Sequence, residues 1–478
     1  STLQFEVDSA GASDTLAVAG GVTLNDGVII DVIALDALDS LPIHSQHTLI
    51  DNDGSDDIAG TFTPSAGSLG SDGELFSVIT KTGGDGNDLT ANSYRTGLTL
   101  ADGATFSDHL AFPDHFPGFT FTVEGTDSAT FSGLLGESST QVSLSKQGTG
   151  TLTLTGANTY TGETRISNGT LSVRDGGSIS HGGARLYVGD TASQTGTLEI
   201  GAGSSVTSHR SYVGRGDTGV VRVGGSGARW QLTERLYVGV YGEGTLEVHD
   251  GGEVDVASQL EVGNASGATG RVTVDGAGSE LKVTSLTLGY SGNGTLTLAN
   301  GGTTSINGGG GEALLGQYIG SQGTLNFGAY DLADPTTAGV LDADRLRFGS
   351  SSPTPYGGPG GTGAINFNQT DTLTLAADIV KGYGTGSVNQ RGTGTTILTG
   401  NNAYSGDTTI SDGTLVVNGS IANSHILVNG GSLGGSGSVG RVTVNSGTIT
   451  PGNSIGTLAV GGDWTLGAGA TYRVELTG

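Results

Sequence analysis

An all-β fold, a right-handed parallel β-helix (solenoid) with three strands per roughly 25-residue coil, is what this sequence predicts. Three observations lead there. An apolar-x-apolar-Gly tetrad recurs at Leu186-Tyr187-Val188-Gly189, Tyr212-Val213-Gly214, Leu236-Tyr237-Val238-Gly239, Leu260-Glu261-Val262-Gly263, Leu286-Thr287-Leu288-Gly289 and Leu314-Leu315-Gly316, with glycines 25, 25, 24, 26 and 27 residues apart. Two more short alternating strands trail the tetrads. The 478 residues include 90 glycines, and each interior glycine weakens a helix by about 1 kcal/mol.

The second strand reads Leu198-Glu199-Ile200, Val221-Arg222-Val223, Leu246-Glu247-Val248, Val272-Thr273-Val274 and Leu296-Thr297-Leu298; the third reads Trp230-Gln231-Leu232, Val254-Asp255-Val256 and Leu281-Lys282-Val283. Strict alternation means half-buried strands, and a fixed period without helices means stacked coils. Coils about 4.8 Å apart would hydrogen-bond to their neighbours. Leu, Val and Ile would point into a dry interior, each on its counterpart one coil on, and stability would come from stacking. About 19 such coils would span roughly 90 Å. Outward positions form ladders: Tyr187, Tyr212 and Tyr237 should stack, and Glu199, Arg222 and Glu247 should alternate in sign, both stabilising the fold.

Glycine lacks a three-residue period, which excludes collagen, and a periodic hydrophobic content of 34% argues against disorder. No cysteine is present, so there is no disulfide framework. The formal net charge is −27, of which −18 lies in residues 1–147; such a surface repels nucleic acid and anionic lipid. Eight of the arginines fall between Arg165 and Arg235. No apolar run is long enough to span a bilayer, and Ser1 opens no leader-like segment. The expectation is a mature or excised soluble segment, cut from a longer array of similar modules.

Two longer units flank the coils. Gly148-Thr149-Gly150-Thr151-Leu152-Thr153-Leu154-Thr155-Gly156-Ala157-Asn158-Thr159-Tyr160-Thr161-Gly162 aligns without gaps, 244 residues on, with Gly392-Thr393-Gly394-Thr395-Thr396-Ile397-Leu398-Thr399-Gly400-Asn401-Asn402-Ala403-Tyr404-Ser405-Gly406. Near the end, Pro451-Gly452-Asn453-Ser454-Ile455-Gly456-Thr457-Leu458 follows a Gly/Ser tract and precedes Tyr472-Arg473-Val474-Glu475-Leu476. The units resemble the autotransporter-associated β-strand repeat, and the terminal peptide resembles the junction at the end of type V autotransporter passengers, the exported β-helical parts of Gram-negative surface proteins. The resemblance implies secretion or display at the bacterial cell surface. It divides the chain into an acidic β-helical module with an irregular loop insertion (1–147), a regular β-helix with a repeat at each end (148–420) and a junction module (421–478).

Gly452-Asn453-Ser454-Ile455-Gly456 matches G-x-S-x-G, but that elbow needs a following helix, and Thr457-Leu458-Ala459-Val460 continues as strand. No catalytic residues, cofactor or metal site are assigned. Calcium is the one metal considered, at Asp85 and Asp88 in a single nonapeptide-like copy and at Asp51 and Asp53 in an acidic turn; neither completes its motif. His44 and His47 would need a helix to converge, and Pro42 argues against one. Asp108-His109, Asp114-His115 and Phe116-Pro117-Gly118-Phe119 read as a loop leaving the coils. Arg215-Gly216-Asp217 is an integrin-type tripeptide in a turn and the candidate receptor contact, with Glu243 one coil on as a partner for Arg215.

The expected function is that of a non-enzymatic adhesin or self-association rod. Its expected partners are a host-cell receptor or glycan, or copies of itself, and not nucleic acid. The alternatives are a polysaccharide lyase or glycosidase on the same fold, which would need a groove of carboxylates with Arg or Lys, and a pure stalk.

Overall fold

A computed structural model describes residues 118–476 apart from 127, 138–140, 182, 330–333 and 353–359. Before residue 118 it describes the strands Thr2–Val7, Leu16–Val18, Thr23–Ala34, His44–Asn52, Ala59–Pro64, Leu75–Thr82, Asp88–Arg95, Gly97–Leu100, Thr105–Phe106 and Leu110–Phe112, together with residues 15 and 103. Helix among the described residues is limited to a three-residue 3₁₀ turn, Asn307–Gly309. Two compact units are formed, Ser1–Leu152 with Asn158–Glu163, and Thr153–Ala157 with Thr164–Gly478.

The second unit is the parallel β-helix. Each tetrad strand pairs in parallel with the one before: Thr164–Ile166, Leu186–Val188, Ser211–Val213, Leu236–Val238, then the later halves of Glu253–Val262 and Glu280–Leu288. The ladder continues through Glu312–Leu315, Arg345–Phe348 and Asp378–Lys381. The sequence reading stops at Gly316. Leu315 stands opposite Phe348, 33 residues on, so a longer connection hides the next coil from a 25-residue search. A second ladder runs from Gly169–Val173 to Thr385–Gln390, and a third from Ser178–Ser180 to Val340–Asp342, both wholly parallel.

Inside, one position forms an aliphatic column: Leu171, Leu198, Val221, Leu246, Val272, Leu296, Leu325, Ile365 and Val388 lie in register, none more than 1% exposed. The tetrad glycine follows from geometry. Gly239 has φ +73°, and a Cβ there would sit 2.3 Å from the Thr269 carbonyl oxygen of the next coil; Gly189, Gly214, Gly263, Gly289 and Gly316 repeat the arrangement. Only glycine accepts both the left-handed backbone and the close approach.

The 25-residue coil does not persist. Val388, Thr408, Ile426 and Val442 stack at spacings of 20, 18 and 16 residues. Gly413, Gly431 and Gly435, all with positive φ, turn these tighter corners, where an added Cβ would lie within 2.5 Å of a neighbouring carbonyl oxygen.

Within the first unit, Thr2–Val7, Thr23–Ala34 and Ala59–Pro64 pair in parallel, but His44–Asn52, Leu75–Thr82 and Asp88–Arg95 pair antiparallel. This departs from a uniformly parallel module. Leu75–Thr82 and Asp88–Arg95 pair in hairpin register, with Thr82 opposite Asp88. Phe119, expected in a loop, instead opens the strand Phe119–Val123 and packs edge-on to Phe121 at 4.8 Å, with Phe131 beyond. Alternation Phe-Thr-Phe-Thr-Val puts both rings inward.

The two longer units have matching interiors. Asn158 and Asn402, both buried, each accept a backbone N–H from the previous coil, Leu135 at 3.0 Å and Ile379 at 2.8 Å. Tyr160 and Tyr404 are 1% exposed, and burial pushes the Tyr404 phenol up to about 12. Lys146 Nζ donates to the Gly148 carbonyl at 2.9 Å, as Gln390 Nε2 does to Gly392 at 2.9 Å. A buried lysine thus substitutes for a buried amide. Burial lowers its pKa from 10.5 to about 8, opposed by the nearby Glu124 charge.

This sets a pH dependence. The folded state releases the Lys146 proton near pH 8 while the unfolded chain holds it to about 10.4. Between those values the unfolded state binds more protons, so stability rises with pH. Wild type should gain on the order of 3 kcal/mol relative to Lys146→Gln across that window. Denaturant titrations at pH 7 and pH 10 check it; parallel pH profiles for the two proteins would remove the buried ammonium as the cause.

Candidate ligand-binding groove

The most developed surface feature of the β-helix begins with the tetrads. Leu186 and Val188 point inward, so Tyr187 points out, and so do Tyr212 and Tyr237 in register above it. The rings stack face to face, 5.2 and 5.1 Å between centroids and tilted by 8° and 4°. This bears out the expected ladder. Two residues before each tyrosine stands an arginine: Arg185, Arg210 and Arg235. The repeated Arg-x-Tyr-Val-Gly was legible in the sequence but its arginines were not singled out. In the fourth coil the pattern becomes Gln259-Leu260-Glu261-Val262-Gly263.

Stacked like charges at coil spacing are destabilising unless compensated. Arginines elsewhere on these coils pair with carboxylates one coil on, Arg165–Asp190 at 2.7 Å, Arg174–Glu199 at 2.9 Å, Arg222–Glu247 at 2.8 Å and Arg229–Glu253 at 3.1 Å, and two of the stacked arginines do the same. Glu199 therefore pairs with Arg174 below it. Arg210 forms a two-point pair with Glu234; the hydrogen bonds to Glu234 and Tyr212 hold its guanidinium above the usual arginine value and Glu234 below the usual carboxylate value. Arg235 reaches the Tyr237 hydroxyl at 3.4 Å and Glu261 at 3.7 Å.

The three stacked tyrosines, Arg235 and Glu261 line a groove of about 470 Å³ with Arg185, Arg215, Val240, Tyr241, Asn264 and Tyr290, a size typical of small-ligand sites. Arg165 lies over the Tyr187 ring at 4.2 Å and Arg215 at 5.2 Å, which is why an outward tyrosine is only 3% exposed. Glu261 is 4% exposed. Burial raises its pKa, while an Asn264 amide hydrogen bond and Arg235 oppose the shift. Tyr290 is pushed up to about 12, chiefly by its hydrogen bond with Tyr318. Tyr241 stands 70% exposed at the rim.

The other candidates fall elsewhere. In the Arg215-Gly216-Asp217 turn the Asp217 carboxylate accepts the Ser193 amide at 2.5 Å and the Thr218 hydroxyl at 3.3 Å. Arg215 lies over Tyr187 and Tyr212 and not beside Glu243, because Glu243 is in register with Thr218. Ser454 sits in an exposed turn followed by the strand Ala459–Val460, with no elbow helix. His44 and His47 lie on a strand. Asp53, Asp85, Asp108, His109, Asp114 and His115 lie outside the described residues, and Asp51 and Asp88 are placed only as strand backbone. Among the described residues no group of three or more His, Asp or Glu side chains could hold a metal ion. No helix there is long and apolar enough to cross a membrane.

Residues 144–173 and 388–417 match the passenger-associated-transport-repeat family, the same two segments whose buried Asn, Tyr and amide positions coincide. The chain carries two passenger-associated transport repeats. Similarity to an autotransporter and to an extracellular protein indicates secretion or display at the cell surface. The chain is 29% identical over 307 residues to the adhesin BmaC autotransporter of Brucella suis biovar 1 (strain 1330), across 50% of this chain and 8% of that protein. It is 32% identical over 179 residues to the uncharacterized lipoprotein YdeK of Escherichia coli (strain K12), across 37% and 12%. It is 43% identical over 94 residues to an extracellular serine protease of Serratia marcescens, across 20% and 9%. The matches thus span only 8 to 12% of those proteins. No solved structure matches the chain.

Proposed function

We propose that this passenger segment is a non-catalytic adhesive surface, engaging a host-cell receptor or glycan or further copies of itself. The observation that carries this reading is the outward Arg-x-Tyr ladder, repeated at coil spacing on a tightly packed core. It sets three similar rungs at regular spacing, and further copies of the segment would multiply such weak contacts. Similarity to a protein named an adhesin supports it. The partial match to an extracellular serine protease does not favour catalysis, because Ser454, the serine of the one nucleophile-like motif, lies in an exposed turn without its helix.

Beads coated with the segment are expected to clump or to bind epithelial cells. If neither occurs while a polysaccharide is cleaved, the enzyme alternative takes its place. The Arg215-Gly216-Asp217 turn is a second reading. An integrin-type receptor would have to draw Asp217 from the Ser193 amide and Arg215 from its tyrosines. Adhesion of integrin-bearing cells is therefore expected to be the same for Asp217→Glu as for wild type, and a loss with that variant would favour the tripeptide as the contact.

A further inference from the structure

Arginines along this surface are mostly taken up by carboxylates one coil on. Arg215 is an exception: among the described residues it forms no ion pair, and its guanidinium sits against the Tyr187 and Tyr212 rings, 5.2 and 5.9 Å from their centroids. It lines the same groove as Glu261 and Asn264, where the Glu261 carboxylate is nearly withdrawn from solvent and carries the Asn264 amide hydrogen bond. At the rim, Tyr241 leaves most of its side chain open.

Each element selects a ligand property. A guanidinium held on aromatic rings keeps its outer N–H donors for an anion. Glu261 would repel a bare phosphate or sulfate, but its remaining lone pairs accept hydroxyl hydrogens. An exposed phenol ring packs against an apolar C–H face and offers its hydroxyl to water or ligand. A polyhydroxylated anion has all three properties together. We infer that the groove binds an acidic saccharide, with its carboxylate or sulfate on Arg215, hydroxyls on Glu261 and Asn264, and a ring face on Tyr241. This rests on the adhesive reading and names its ligand class. An acidic peptide supplies the charge without the dense hydroxyls. The −27 net charge repels anions in bulk, so local pairing must provide the attraction and binding should weaken with salt.

The test titrates the purified segment with oligogalacturonate, a heparin oligosaccharide, neutral dextran and polyglutamate. Wild type should bind at least one acidic saccharide and neither control polymer; which of the two binds tells carboxylate from sulfate. Arg215→Gln and Tyr241→Ala should each weaken binding about tenfold. Arg229→Gln, the same charge change on the third ladder, should leave it unchanged. Because the Tyr241 side chain is largely exposed, that variant should melt like wild type and keeps the test decisive if Arg215→Gln fails to fold. Absence of binding to both acidic saccharides, equal binding to polyglutamate, or equal loss in Arg229→Gln overturns the proposal. Bead clumping and cell attachment, measured without added saccharide, separate the two readings. Adhesion persisting without saccharide binding overturns only the ligand assignment, and loss of both overturns the adhesive reading as well.

Discussion

Leu246→Asp should open the β-helix at its middle. Leu246 is fully buried, between Val221 and Val272 in the aliphatic column, where no partner can neutralise a carboxylate. A buried, unpaired charge is among the few changes that cost about 4 kcal/mol or more. Glu247 is one residue away on the opposite side of the strand. Its carboxylate pairs with Arg222 at 2.8 Å with both side chains about two-fifths exposed (39% and 42%), so Glu247→Ala should cost under about 1 kcal/mol. Coils interact mainly with their neighbours, so limited proteolysis should show cleavage near the altered coil before global melting. Equal midpoint shifts for the two variants in a denaturant titration would mean that the inward and outward assignment is wrong.

Gly239→Ala should be the next most damaging change, and a matched control separates its two causes. Gly239 and Gly203 have nearly the same backbone, φ +73° and +69°. An added Cβ would be 2.3 Å from the Thr269 carbonyl oxygen at the first and would meet nothing within 4 Å at the second. Left-handed strain alone costs an alanine about 1–2 kcal/mol, which is the expectation for Gly203→Ala. At Gly239 the contact is with backbone of the next coil, which cannot yield without loosening the ladder. The expected loss is about 3 kcal/mol or more, read as the difference between the two melting curves' stabilities. Similar losses at both sites would show that coil contact does not require the tetrad glycine.

The fold and the candidate groove were legible in the sequence to different degrees. The tetrads, the trailing strands and the paired repeats 244 residues apart could be read directly, because a strand's inward and outward faces alternate every residue and a solenoid repeats its environment every coil. Those two periods determined the all-β parallel class, the core column through Leu246 and the tyrosine stack. The gapless match of 148–162 to 392–406 pointed to the transport-repeat relationship, and the structure added that Asn158 and Asn402, or Lys146 and Gln390, make corresponding hydrogen bonds.

The groove depended on tertiary structure. Arg215, Arg235, Tyr241, Glu261 and Asn264 come from successive coils, and their convergence depends on how far each corner carries the chain before it re-enters a ladder. That distance varies from coil to coil, as the 33-residue step to Phe348 and the 20-, 18- and 16-residue steps after Val388 show. Register, not spacing, placed Glu243 beside Thr218 and left Arg215 to the tyrosines. The sequence by itself determined which side chains point outward, since alternation is a local property of the strand. Which outward side chains meet was decided only by tertiary structure, because corner lengths and coil-to-coil contacts are set by parts of the chain far apart in sequence.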